Sequence, residues 1–175
     1  KDKEFRDLIN WMYLKTTRNG ATFAEYKKFI EQNEDYPRIN RIRYLAEEKI
    51  YLRNNSPTSV INWFEKYPPL GGLGKIKLAE AYLEQGKNEK VKDLIKDGWV
   101  TATIRKNDLG YYRAKFKKFI DSDDHVKRAD YLAWERKYWD LKRMLKYLPK
   151  DQKALYNARQ ILMSNSYGVD NAISK

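Results

Sequence analysis

Residues 79–95 read AEAYLEQGKNEKVKDLI and residues 129–145 read ADYLAWERKYWDLKRML, so the two segments align without a gap at an offset of 50. Each has small Ala residues early and an aliphatic end. This pattern predicts a helix, a tight turn and a second helix, with Gly86 ending the first helix in a left-handed conformation. Helix pairs that cannot bury an apolar face alone bury it by stacking on the next pair.

The rest of the chain predicts more helices of the same kind. Apolar residues recur three and four positions apart, and no segment alternates with period two long enough to predict a strand. Thr22 with Glu25 predicts a capping box, and Ser56 before Pro57 predicts a helix start. Helices are predicted over 4–17, 23–30, from Pro37 to about Leu52, over 57–67, 72–85 and 88–97, from a cap at Asp108 to 120, from a cap at Ser122 or Asp123 to 133, over 138–147 and 151–163, and from near Val169.

The predicted fold is therefore all-α. We expect antiparallel helix pairs stacked into an α-superhelix, solenoid-like and tetratricopeptide-like, that forms a single domain over residues 1–175. A compact helical bundle is the alternative. The spacing between the two similar segments is not repeated elsewhere, so a strict repeat array is not predicted.

Composition excludes several classes of site. The 175 residues contain no Cys and one His, so disulfides, thiolate metal sites and zinc sites with several imidazoles are excluded, and no metal or cofactor is predicted. No apolar run approaches the roughly 20 residues of a membrane-spanning helix. The net charge of +12 comes from 36 Lys and Arg against 24 Asp and Glu, interspersed as on solvated helix faces. Nucleic acid is therefore not favoured as a partner.

Three groups of residues could carry chemistry, and each has a simpler interpretation. Residues 71–75, GGLGK, resemble a phosphate-binding loop, but Ile76 stands where Ser or Thr is needed, which favours an interhelix turn. His125 lies in the first turn of a predicted helix, which favours a capping or hydrogen-bonding role over that of a general base. A glycosidase acid needs apolar surroundings that raise its pKa. The acidic candidates are instead expected on wet faces: Glu47, Glu48, Asp123, Asp124 and Glu135.

Several runs occur in an order and spacing similar to those of one enzyme family. They are residues 21–37, 41–48, 63–69, 74–86, 158–162 and 168–170. The most specific run is 124–135, DHVKRADYLAWE, in which an acid and His precede Arg, Asp and a closing Trp-Glu. Together these runs resemble the N-terminal α-superhelical region of soluble lytic murein transglycosylases over nearly the whole chain.

That resemblance implies an exported, periplasmic protein. Enzymes of this family cleave peptidoglycan between N-acetylmuramic acid and N-acetylglucosamine and form a 1,6-anhydro end. A C-terminal lysozyme-like domain performs this lyase reaction, and the superhelix helps to hold the glycan. The family's Glu-Ser catalytic motif has no counterpart here, so no catalytic residue is carried over. The resemblance thus implies a truncated, non-catalytic scaffold, with its signal peptide outside this chain, whose partners are glycan strands and its own catalytic domain.

Aromatic and basic residues near the turn of the second segment are the candidate ligand contacts. Trp134 and Trp139 could stack on sugar rings, and Arg128 and Arg136 could hydrogen-bond the glycan. The competing interpretation of both Trp residues is core packing. The competing function is a free-standing helical-repeat adaptor that binds a protein or an acidic partner.

Overall fold

The computed structural model describes residues 2–164, which form ten α-helices and no strand. The all-α prediction is confirmed. The chain divides into two compact units, unit 1 (Lys1–Asn88) and unit 2 (Glu89–Lys175). Unit 1 contains α1 (Asp2–Leu14), α2 (Phe23–Gln32), α3 (Ile39–Glu47), α4 (Pro57–Lys66) and α5 (Gly72–Glu84). Unit 2 contains α6 (Val91–Thr101), α7 (Lys106–Lys115), α8 (Ser122–Trp134), α9 (Tyr138–Met144) and α10 (Lys150–Met163).

Two helix starts follow the predicted capping chemistry. The Thr22 hydroxyl accepts a hydrogen bond from the Glu25 amide at 3.3 Å, and the Glu25 carboxylate accepts one from the Thr22 amide at 2.7 Å. This reciprocal pair satisfies amides that have no partner within the helix. The Ser56 hydroxyl caps α4 by accepting a hydrogen bond from the Ser59 amide at 3.2 Å, with Pro57 in the first turn.

Two predicted caps are wrong by a few residues. Asp108 does not begin α7, because it lies inside the first turn and its carboxylate pairs with Arg105 at 3.0 Å. Neither Ser122 nor Asp123 caps α8. Asp121 does, because its carboxylate accepts from the Asp124 amide and the Asp124 carboxylate accepts from the Asp121 amide, both at 3.0 Å.

The third helix is shorter than predicted. Arg38 has a left-handed backbone with φ 57°, which separates Pro37 from the helix that begins at Ile39. The helix then ends at Glu47 instead of continuing to Leu52. The helix predicted near Val169 lies outside the described residues.

The two similar segments contain the same helix-ending turn. After α5, Gly86 has φ 71° and the Lys87 amide donates to the Tyr82 carbonyl at 3.0 Å. After α8, the residue 50 positions later is Arg136, with φ 52°, and the Lys137 amide donates to the Leu132 carbonyl at 2.9 Å. Both are Schellman motifs, in which a left-handed residue lets the chain satisfy the last carbonyls of the helix.

Each unit buries its own helix stripes. The largest fully buried side chains of unit 1 are Tyr26, Ile30, Ile42, Ile50 and Ile76. Those of unit 2 are Ile95, Trp99, Phe116, Arg128, Leu132, Leu141 and Met144. The predicted stripe of α1 stays exposed, at Phe5, Leu8, Ile9 and Met12. In the described part of the chain, every helix falls short of the length and apolar character that crossing a membrane requires.

Candidate functional site

The exposed aromatic side chains of unit 2 are the first feature of the candidate site. Trp134 is the last residue of α8 and is 75% exposed, and Trp139 near the start of α9 is 64% exposed. Trp63 and Trp99, in contrast, are buried core residues. Core packing therefore does not account for Trp134 or Trp139.

Trp134 forms one wall of an open groove of 440 Å³, which we call the Trp134 groove. It is lined by Ala133, Trp134, Arg136, Arg159, Leu162 and Met163. The end of α8, the following turn and the last two turns of α10 therefore contribute to one surface. That surface combines an exposed indole, two guanidinium groups and an apolar floor.

Contacts between α8 and α10 hold Arg159 in this groove. Its Nη1 donates to Asp130 Oδ1 at 2.5 Å, and the Tyr156 hydroxyl donates to the same oxygen at 3.3 Å. The guanidinium carbon lies 5.3 Å from the ring centroid of Trp134 and 5.3 Å from that of Tyr156. Burial, followed by the charge of Asp130, raises the pKa of Tyr156, so the phenol remains a donor. The Asp130 carboxylate and the Tyr156 ring thus orient Arg159 beside the Trp134 indole.

The turn after α8 brings Arg136 to the groove. Its left-handed backbone ends the helix two residues after Trp134, and its side chain lines the groove together with the indole. Trp134 and Arg136, both expected from the sequence as glycan contacts, line this groove together.

Trp139 lies apart from the lining of the Trp134 groove. The ring of Tyr138 meets it edge-on at 5.0 Å and 89°, and Lys142 Nζ lies 5.4 Å from its centroid. Trp139 is therefore a second exposed aromatic surface flanked by a cation.

Arg128 is inside unit 2, with 1% of its surface exposed. Its Nη1 donates to the Trp99 carbonyl, and its guanidinium carbon lies 5.2 Å from the Trp99 ring centroid. Burial lowers the pKa of Arg128 to about 10. Residue 128 lies one helical turn before buried Leu132 and one after buried Asp124, so it faces the core. This position does not fit the expectation that Arg128 hydrogen-bonds a glycan.

Other expected roles also change. Asp121 caps α8, so the capping role expected of His125 is wrong, and His125 Nδ1 is buried without a hydrogen-bond partner. The expectation that Glu47 and Asp124 are solvated is wrong as well, since both are buried. Gly71 caps α5 and residues 72–75 form the first turn of that helix, so the interhelix turn expected at residues 71–75 lies before Gly72.

Glu47 is a buried acidic residue whose pKa is strongly raised. Burial raises its pKa to about 7, although the backbone amides of Leu70, Gly71 and Gly74 and the charge of Arg43 oppose the shift. Its Oε1 accepts from the Leu70 amide at 2.6 Å. The carboxyl group faces this backbone and is not part of the lining of the Trp134 groove.

Three residues of the candidate site were not identified from the sequence: Asp130, Tyr156 and Arg159. Tyr156 and Arg159 are three residues apart on α10, and Asp130 and Trp134 are four apart on α8, so each pair shares a helix face. The sequence alone therefore indicates that each pair shares a helix face. The pairing of the two faces, 29 residues apart, depends on tertiary structure.

A larger groove of 620 Å³ lies between α1 and α2 in unit 1. Its lining is mostly polar and of mixed charge, including Lys3, Arg6, Asp7, Glu25 and Lys28. It lacks an exposed Trp, the side chain that sugar stacking favours.

Comparisons with protein-family models, with curated proteins and with solved structures find no match for this chain. The chemistry of unit 2 and the residues that carry the family resemblance are therefore the basis for a function. The Trp134 groove provides the most specific arrangement of exposed groups for that purpose.

Proposed function

We propose that this chain is a non-catalytic helical scaffold of a periplasmic peptidoglycan lytic transglycosylase and that it binds glycan strands at the Trp134 groove. The observation that carries the proposal is the exposed indole of Trp134 beside the oriented guanidinium of Arg159. An exposed indole face offers apolar area to the flat C–H face of a pyranose ring. Guanidinium groups in the same groove can hydrogen-bond acetamido oxygens and pair with carboxylates.

The charge of the chain supports an anionic polymer as the ligand. Muramic acid and the stem peptides attached to it carry carboxylates, and the chain carries a net charge of +12. Arg136 brings part of this positive charge to the Trp134 groove, whereas the charge of Arg159 is paired with Asp130. Because such attraction between exposed charges is screened by salt, binding should be weak and should fall as ionic strength rises.

The proposal includes two larger features. We propose that the helix pairs stack into an α-superhelix and that a C-terminal lysozyme-like domain of the parent protein forms the 1,6-anhydro product. The two Schellman turns at matching positions support repeated helix pairs. Small-angle X-ray scattering of the chain would test the superhelix, since a compact bundle of 175 residues has a radius of gyration of roughly 16 Å and a superhelix a larger one.

Sacculus pelleting tests the glycan proposal. Purified chain is mixed with peptidoglycan sacculi at low and high salt, and the bound fraction is measured for the wild type, Trp134→Ala and the control Phe5→Ala. Phe5 is an exposed aromatic of unit 1, so its removal matches the loss of surface apolar area. We expect Trp134→Ala to weaken binding about fivefold and Phe5→Ala to leave it unchanged.

Trp139→Ala is a separate arm of the same experiment. Unchanged binding by a folded Trp139→Ala variant would limit the glycan surface to the Trp134 groove. Failure of the wild type to bind sacculi would contradict glycan binding and favour the adaptor function. Release of anhydro-muropeptides by this chain alone would contradict a non-catalytic role.

A further inference from the structure

Unit 2 contains a cluster of buried nitrogen atoms that lack hydrogen-bond partners. They are Nε1 of Trp99, Nε of Arg113, Nδ1 of His125 and Nε of Arg128. Buried polar atoms in folded proteins almost always have a partner, so each exception points to a bound water, an ion or a function. Three of these four groups are N–H donors, so the group that completes the cluster must supply acceptors.

Ring contacts join these side chains into one neighbourhood. The His125 ring lies 5.5 Å from the Trp99 ring and 6.0 Å from the Tyr147 ring, measured between centroids. The guanidinium carbon of Arg113 lies 4.5 Å from the Tyr147 centroid, and that of Arg128 lies 5.2 Å from the Trp99 centroid. Side chains from α6, α7 and α8 and from the 3₁₀ turn after α9 therefore form one continuous series of contacts, with His125 in the middle and a guanidinium group at each end. We call it the Arg113–His125–Arg128 cluster.

The nearby carboxylates are already bound to other groups. Asp124 accepts from Lys96 Nζ at 2.9 Å and from the Asp121 amide at 3.0 Å. Asp121 also pairs with Lys96, at 3.2 Å, and Asp140 pairs with Arg143. Within residues 2–164, neither Arg113 nor Arg128 forms an ion pair with a carboxylate.

This arrangement leaves an excess of positive charge in a buried place. The charge of Asp140 acts on Arg128, but that carboxylate pairs with Arg143. A fully buried Arg without a carboxylate bonded to it is rare, because removing its charge from water is costly. The pKa of His125 is lowered by burial and by the charge of Arg113, which agrees with a cationic environment. The acids Asp124 and Asp121 oppose that shift only in part.

We propose that the Arg113–His125–Arg128 cluster binds a small oxyanion, either a carboxylate or a phosphate group. The planar guanidinium group matches two oxygens of such an anion, and Trp99 Nε1 and His125 Nδ1 offer further nitrogen partners. Arg113 and His125 are partly exposed whereas Arg128 and Trp99 are buried, so an anion enters beside Arg113 and His125. This site shares no residue with the Trp134 groove and does not depend on the proposed glycan function.

The single His of the chain makes the site directly observable. The chain is labelled with ¹³C-histidine and its one imidazole Cε1–H resonance is followed by NMR. Sodium phosphate and sodium acetate are titrated separately against sodium chloride at equal ionic strength. We expect a saturable shift with at least one oxyanion and a rise in the pKa of His125, since a bound anion favours the imidazolium. A response to acetate alone assigns a carboxylate ligand, and a response to phosphate alone assigns a phosphorylated one.

Two variants test whether Arg113 forms the site. Arg113→Gln should weaken oxyanion binding about tenfold or more, because a charge-assisted hydrogen bond is lost. Lys118→Gln removes the same charge from an exposed position of unit 2 and should leave binding unchanged. The proposal is overturned if neither oxyanion shifts the resonance more than chloride does, or if both variants weaken binding equally. If Arg113→Gln does not fold, the wild-type titration still decides the question.

Discussion

The two units each bury a charged side chain against the end of a helix, and the charges are opposite. In unit 1, the Glu47 carboxyl group, 3% exposed, accepts from the Leu70 amide just before α5. In unit 2, the Arg128 guanidinium donates to the Trp99 carbonyl in the last turn of α6. Helix N-termini favour negative charge and C-termini favour positive charge. Each buried group thus lies at the helix end that suits its sign.

The difference between the two groups is whether they can lose their charge. Burial raises the pKa of Glu47 to about 7, so near neutral pH this carboxyl group can take up a proton. Burial lowers the pKa of Arg128 only to about 10, so the guanidinium remains charged at neutral pH. Unit 1 can therefore relieve its buried charge by protonation. Unit 2 cannot neutralise Arg128 by a change of protonation near neutral pH. A bound oxyanion would therefore stabilise unit 2 by offsetting this buried positive charge.

The largest predicted effect is a loss of unit 1 stability as pH rises. The unfolded-state pKa of Glu47 is about 4.5 and the folded one about 7, so the folded state binds more protons between these values. Stability from this group is complete below pH 4.5 and is lost as pH rises through 7. The difference between a pKa of 4.5 and one of about 7 corresponds to a loss of roughly 3 kcal/mol in the free energy of unfolding.

Chemical denaturation of the wild type and Glu47→Gln from pH 5 to pH 8 measures this effect. The difference between the two proteins at each pH cancels the contributions of the other titrating groups. Glu48→Gln is the matched control, because it makes the same substitution at the adjacent, exposed position. A wild-type curve parallel to that of Glu47→Gln across this range would contradict the prediction.

The second effect concerns the glycine that makes room for Glu47. A Cβ on Gly74 would collide with the Glu47 carboxyl group, so Gly74→Ala must displace that group or the start of α5. We expect a loss of about 2 kcal/mol in the free energy of unfolding. Gly110→Ala is the control, because no atom lies within 4 Å of the added methyl group and a helical Gly→Ala change stabilises by up to about 1 kcal/mol. Equal effects of the two substitutions would show that the close approach at Gly74 has no energetic weight.

Glu47 also shows which structural features could be predicted from the sequence and which could not. Apolar spacing predicts the helices, and Thr22, Ser56 and Gly86 predict their ends, because these signals act within a few residues. The burial of Glu47 could not be predicted, since the residue stands beside Glu48 and Lys49 and its partner is a backbone amide 23 residues away. Trp134 posed the same problem. A Trp on a helix stripe suits a core. The exposure of Trp134 could not be predicted, because it depends on how α8 packs in the folded unit.

A third, smaller effect compares the two Schellman turns. Gly86 adopts its left-handed backbone without a steric penalty, whereas Arg136 adopts a similar one with a Cβ. Arg136→Gly should therefore raise the free energy of unfolding by about 1 kcal/mol, and Gly86→Ala should lower it by about 1 kcal/mol. Thermal unfolding of both variants checks these signs. Destabilisation by Arg136→Gly would mean that the Arg136 side chain contributes more than its backbone costs.

The smallest predicted effect gives unit 2 a pH dependence opposite to that of unit 1. Burial and then Arg113 lower the pKa of His125 below 6.5, so the unfolded state binds more protons and stability falls as pH drops below 6.5. The effect should be weaker than that of Glu47, because solvent screens a partly exposed imidazole. Denaturation of the wild type and His125→Asn from pH 5 to pH 8 measures it, and wild-type stability relative to the variant should rise with pH.

In saturating oxyanion this rise should shrink, since an anion beside His125 stabilises the imidazolium and reduces the difference between its folded and unfolded pKa. If an oxyanion binds but leaves the pH dependence of wild-type stability relative to His125→Asn unchanged, the anion lies away from His125. The buried charge of Arg128 would then be neutralised without any effect on the imidazole.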